Sequence, residues 1–250
     1  MPGTTLTVTM SPGSMRSMEE NSVIGRRTLG IVALAAVIAA AVSGCSAAVS
    51  APSASPSPSA SRAAADIQPL GAGFAGATPP TPEATIDPEP GSWDGVVPPD
   101  GYRVVLIAES SDAAADTLSA AVQRWAVSEK ANLTVLTAAG DYEVLDRIDE
   151  AVSLTPDLVI GVGDGLVDMF TLLTPQRLEQ HFLILGAELP EPTANVTSVI
   201  WPGATYRGTG LSTSGGVDAS TVTAERAEEA ITAGVASVLH DLTGIVLNLR

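Results

Sequence analysis

Arg103-Val104-Val105-Leu106-Ile107-Ala108, the turn Glu109-Ser110-Ser111-Asp112, and the stretch from Ala114 to Glu129 decide the fold of this chain. The first part is an uninterrupted apolar run of strand length. In the third, Leu118, Ala121, Val122 and Trp125 recur at helical spacing and predict one buried helix face. A strand with no polar alternation is covered on both sides. A helix directly after it is the usual crossover to a parallel neighbour.

The same unit repeats outward. Leu133 to Thr137 predicts a second strand, and Gly140-Asp141 opens a helix with Val144, Leu145, Ile148 and Val152 on its apolar side. Asp157 to Gly161 predicts a third strand, followed by a helix from Leu166 to about Gln180 that Pro175 interrupts. His181 to Gly186 and Asn195 to Ile200 are the fourth and fifth strands. Beyond a Gly/Ser/Thr-rich loop from Gly203 to Ser220, Thr223 is placed to cap a helix over Ala224 to His240. Glu225, Glu228 and Glu229 suit its first turns. Ile245 to Leu249 closes with a strand. The expected fold class is α/β: one three-layer α/β/α domain over residues 101–250, with a mostly parallel sheet of about five to six strands.

Upstream the composition changes. From Ser46 to about Pro99 alanine, serine and proline dominate, as in Pro52-Ser53-Ala54-Ser55-Pro56-Ser57-Pro58-Ser59. Apolar periodicity is absent, which predicts a disordered tether over residues 45–100. Trp93, Val96 and Val97 have two readings, as a first contact with the domain or as exposed residues of the tether. Further upstream, Arg26-Arg27 precedes an uncharged apolar stretch, Thr28 to Val42. That stretch is shorter than a comfortable membrane span and fits a signal-peptide core. Met10, Met15 and Met18 are alternative starts, and the paired arginines are also compatible with a twin-arginine signal.

Val42-Ser43-Gly44-Cys45 resembles the lipobox of bacterial lipoproteins. That resemblance implies removal of residues 1–44, lipidation of Cys45, and attachment to the outer face of the cell membrane. Cys45 is the only cysteine, so an intrachain disulfide and a cysteine-based metal cluster are excluded. The two histidines, His181 and His240, stand far apart without partners at metal-ligand spacing; no metal and no cofactor is expected.

The formal charge is −16, and the residues before Cys45 carry +1, which leaves about −17 for the remainder. Such a polyanion repels phosphate backbones and anionic headgroups, so nucleic acid is not an expected partner and lipid must supply the membrane attachment. Walker A, G-x-S-x-G and H-E-x-x-H motifs are absent. Gly161-Val162-Gly163-Asp164-Gly165 lacks a third glycine at the spacing a dinucleotide loop requires. No nucleophile, base and orienter can be assembled from spacing, so an enzyme is not expected.

In open parallel sheets, ligands sit beyond the carboxyl ends of the strands, near the point where strand order reverses. Read on that rule, the candidate ligand-binding residues are Ser110, Ser111 and Asp112 after the first strand, Asp164 after the third, Glu188 after the fourth and Trp201 after the fifth. The carboxylates disfavour an anion and suit a small polar neutral or cationic ligand, with Trp201 covering an apolar face. Each has a plainer reading: Asp112 and Asp164 as helix caps, Glu188 as a solvated turn, Trp201 as a packing residue.

Three segments resemble the amino-terminal lobe of the basic-membrane-protein (BMP) family, lipoprotein solute-binding components of ABC transporters with a type I periplasmic-binding fold. They are Arg103 to Ala108 with its helix, Pro156 to Asp164, and Phe182 to Gly186 with Asn195 to Val199. The resemblance implies an extracytoplasmic binding lobe for a small polar ligand, partnered by a transporter. Two departures accompany it. Family members have two lobes, whereas one lobe fits here, and the stretch Ser110 to Leu118 lacks the family's base-stacking aromatic. A degenerate lobe used for self-association or for contact with an envelope protein is the alternative implied.

Overall fold

The computed structural model describes residues 67–110, 112–211 and 216–250. Cys45, the leader and Ser111 lie outside the described residues. The strands are β1 (Thr85–Ile86), β2 (Arg103–Glu109), β3 (Asn132–Ala138), β4 (Leu158–Val162), β5 (Phe182–Leu185), β6 (Val196–Ile200) and β7 (Ile245–Asn248). The helices are α1 (Ala113–Ser128), α2 (Asp141–Ser153), α3 (Val167–Leu173) and α4 (Ala224–Leu239). The strands form one sheet in the order β1-β7-β6-β5-β4-β2-β3, and every neighbouring pair is parallel.

Strand composition explains this arrangement. All residues of β4, β5 and β6 are buried, so both sheet faces need a cover. Alternation divides the residues between two cores. Leu106, Ile160, Leu183 and Leu247 pack with Leu118, Val122 and Trp125 of α1 and with Ile231 and Val235 of α4. Ile107, Val159, Phe182 and Ile184 pack against Val144 and Ile148 of α2 and Phe170 of α3. The result is the three-layer α/β/α fold that the sequence predicts. Helix α4 starts where expected, with the Thr223 hydroxyl accepting from the Arg226 N–H at 3.2 Å. The third helix stops at Leu173, and Thr174–Gln176 tightens into a 3-10 turn around Pro175.

The expected tether requires a correction. Residues 67–99 pack on the domain, so the fold begins well before residue 101. Phe74 and Trp93 are buried in the α1/α4 core and meet edge to face, with centroids 6.3 Å apart. Val96 is buried with them, while Val97 is half exposed. Thr85 and Ile86 add a seventh strand beside β7, where five or six strands were expected. Arg250 and Asn248 hold Asp87 at that edge, the Asn248 amide donating at 2.7 Å. A few large apolar anchors suffice to order a proline-rich segment, because proline reduces the conformational entropy that ordering removes. Such anchors leave no periodic pattern to read.

Candidate functional site at the sheet switch point

Strand β2 has the next two strands of the chain, β3 and β4, on opposite sides. The switch point therefore lies between the carboxyl ends of β2 and β4. Three carboxylates meet there. Glu109 ends β2, Asp112 precedes α1, and Asp164 follows β4; one oxygen from each lies within 4.8 Å of the others.

Each carboxylate is held by backbone. Asp112 accepts from the N–H groups of Ala114 and Ala115, both at 3.0 Å, which makes it the N-cap of α1. Glu109 accepts from the Gly165 N–H at 3.1 Å. A Cβ at Gly165 would stand 2.5 Å from that carboxylate, so only glycine admits Glu109 there. Asp164 is not a helix cap. It accepts from the Val217 N–H at 3.0 Å, on the Gly/Ser/Thr-rich loop.

Asp168, one helical turn after Asp164, repeats this device. It accepts from the Thr209 N–H at 3.0 Å and from the Thr209 hydroxyl. In both cases the N–H follows a glycine with positive φ, Gly208 at 85° and Gly216 at 102°. In both cases a Cβ would collide with the aspartate. Two acids four residues apart on one helical face thus fasten the described parts of the loop after β6 over the end of β4.

Electrostatics follow from this crowding. Burial pushes the Glu109 carboxyl above the usual carboxylate range; the Gly165 N–H opposes the shift, and the negative charges of Asp164, Asp112 and Asp141 add to it. A cationic group entering the cluster would relieve that repulsion.

The other predicted residues have different fates. Ser110 is exposed at the end of β2, its N–H donating to the Ala138 carbonyl at 2.8 Å. Glu188 does not join the cluster. It is almost buried at the end of β5 and pairs with Arg207 at 3.1 Å. Burial raises its pKa and the guanidinium opposes the rise. Trp201 is corrected as a ligand platform: it is 2% exposed, and its ring Nε1 donates to the Thr221 hydroxyl at 3.3 Å. Sequence reading missed Glu109 and Asp168. A signal for Glu109 was available, since a carboxylate closing an otherwise apolar strand of a parallel sheet must sit at its ligand end.

No protein-family model matches the chain, and no curated protein does. Solved structures match in part. One is an ABC-transporter solute-binding protein from Aeropyrum pernix K1, at 20% identity and TM-score 0.37, over 42% of this chain and 29% of that one. A protein designated a lipoprotein from Peptoclostridium difficile 630 matches at 16% identity and TM-score 0.40, over 56% of this chain and 98% of that fragment. A periplasmic ribose ABC transporter protein from Conexibacter woesei DSM 14684 matches at 16% identity and TM-score 0.31, over 60% of this chain and 54% of that one. These likenesses are distant, and the fold assignment stands on strand order and burial. Among the described residues, no helix is long and apolar enough to cross a membrane.

Proposed function

We propose that this chain is a lipid-anchored extracytoplasmic binding module that takes a small polar ligand bearing a positive charge at the sheet switch point. The carrying observation is the convergence of Glu109, Asp112 and Asp164 at the place where doubly wound sheets bind ligands. The lipobox-like Val42 to Cys45 supports anchoring, and the BMP-like segments support a role as an ABC-transporter-type binding component. The chemistry asked of the site is binding, not catalysis.

The test is a thermal-shift screen of the chain against polyamines, amino acids, nucleosides and sugars. Amine-bearing ligands should raise the melting temperature; at about 100 times the dissociation constant the added stability is about 2.7 kcal/mol. Glu109→Gln and Asp164→Asn should abolish the shift. No shift across the panel, or a shift that both variants retain, would refute the reading. Anchoring is checked separately by palmitate labelling in a bacterial host, which Cys45→Ala should eliminate.

One observation favours a second reading, self-association. Strand β3 is a sheet edge of seven residues without charge, proline or glycine. The Asn132 N–H and Ala138 carbonyl point to the β2 side, so Leu133, Val135 and Thr137 present their backbone groups outward. Arg147 caps the Thr137 carbonyl at 3.0 Å. Sedimentation showing a dimer that Val135→Lys dissolves would favour this reading; a monomer at micromolar concentration would end it.

A further inference from the structure

At the opposite end of the sheet the molecule has a second cleft, of about 510 Å³, whose lining includes Tyr102, Asp157, Glu179, His181, Leu239 and Asp241. It lies at the amino ends of β2, β4 and β5, away from the carboxylate cluster. As a residue Tyr102 is nine-tenths buried, and its hydroxyl makes no hydrogen bond within the described residues. The Nδ1 atom of His181 is buried and likewise unpartnered. Buried polar groups in native folds are almost always satisfied, so the His181 Nδ1 is a polar atom the fold leaves unmatched beside this cleft, while the Tyr102 hydroxyl is not enclosed and is the group a partner from solution can reach.

Charge narrows the class of that partner. Among the described residues, no lysine or arginine lines the cleft. Asp157 is engaged by Arg103, which donates to it from its backbone N–H at 2.8 Å and from its guanidinium at 3.1 Å. The carboxylates of Glu179 and Asp241 have no ion-pair or hydrogen-bond partner among the described residues. The walls between these groups are apolar: the Tyr102 ring, Leu239 and Val238 from the end of α4, and Ile67. Burial and the nearby Asp157 charge both raise the Tyr102 pKa, which keeps the hydroxyl protonated as a donor.

We infer that this cleft is a second binding site, for a small organic cation with an apolar body. The ammonium meets the Glu179 and Asp241 carboxylates, the body lies along Leu239 and the Tyr102 ring, and the Tyr102 hydroxyl serves a polar substituent. The site is independent of the switch point, and its occupancy requires nothing of Glu109.

The experiment is isothermal titration of the full chain with phenethylamine, phenethyl alcohol and 3-phenylpropionate, which share a ring and differ in charge. Phenethylamine should bind saturably and more tightly than the alcohol, and 3-phenylpropionate should not bind. The pair Glu179→Gln and Asp241→Asn should weaken the amine about threefold while leaving the alcohol unchanged. Tyr102→Phe, which removes only an unpartnered hydroxyl, should keep the fold and weaken tyramine, whose phenol supplies the polar substituent, more than phenethylamine. Glu109→Gln should change none of these affinities. Equal binding of amine and carboxylate, or no binding of the amine, would overturn the inference. Loss of amine binding in Glu109→Gln would relocate it to the switch point and overturn it equally.

Discussion

The two ends of the sheet handle acidic residues in opposite ways. At the carboxyl end, Glu109, Asp164 and Asp168 press against backbone N–H groups, and glycine stands at each point of approach. At the amino end, helices α1, α2 and α4 are followed by left-handed residues that are not glycine: Lys130 (φ 54°), Thr155 (φ 49°) and Asp241 (φ 55°). Asp157 there is held by Arg103, but the carboxylates of Glu179 and Asp241 remain unengaged among the described residues. One end uses its acids to secure loops; the other leaves them facing a cleft and tolerates backbone strain in its turns. Glycine is required at Gly165, Gly208 and Gly216 because a Cβ there would collide with the carboxylate, whereas left-handed φ alone is only a modest cost.

This contrast predicts effects of opposite sign. The largest belongs to Gly208→Ala and Gly216→Ala, each expected to destabilise by about 2 kcal/mol in urea titration, from left-handed strain plus a lost charge-assisted hydrogen bond. A double variant Gly208→Ala with Asp168→Ala should cost less than the sum of its parts, because both changes remove one contact. An additive result would show that the clasp contributes nothing. Next, Asp112→Ala should cost about 1 kcal/mol by uncapping α1, and Asp112→Asn much less; equal losses would mean that charge in the cluster, not capping, sets its value.

At the other end the sign reverses. Thr155→Gly should stabilise by about 0.5 kcal/mol, since a β-branched residue gives way to one that accepts φ 49° freely. Destabilisation there would mean that the Arg103 guanidinium contact to the Thr155 hydroxyl, at 3.4 Å, outweighs the strain.

The smallest effect is visible only as pH dependence. The Glu109 pKa is raised in the folded chain, so the folded state holds the proton more tightly than the unfolded state does. Stability should fall as pH rises from the ordinary carboxylate range through the raised folded pKa, and stay lower above it. Glu109→Gln should flatten that slope and leave the variant slightly more stable at neutral pH. An unchanged slope would assign the pH dependence to another carboxylate.

Much of this was legible before any coordinates. Apolar runs such as Leu158-Val159-Ile160 and Phe182-Leu183-Ile184-Leu185 are uniform because both faces of a parallel strand are buried, and they identify the layers unaided. Thr223 and Asp112 read as caps because capping is a matter of two or three neighbouring residues. The docked segment before residue 101 was not legible. Phe74, Trp93 and Ile86 are too widely spaced to form a pattern, and their value lies in surfaces contributed by α1, α4 and β7.

The candidate site divides in the same way. Asp112 and Asp164 were found from their positions after strands, a local property. For Trp201 two readings stood open, because position after a strand says nothing of whether a ring turns inward, and here it fills the core beside Leu118 and Gly186. By itself, the sequence determined the α/β class, the strand and helix order, and the polar turns at the strand ends, all of which depend on hydrophobic period and short-range hydrogen bonding. The tertiary structure alone decided which acids converge, which are consumed by loops and which face a cleft. Those outcomes depend on contacts between residues 41 to 56 positions apart, such as Thr209 with Asp168 and Gly165 with Glu109, and no local pattern encodes them.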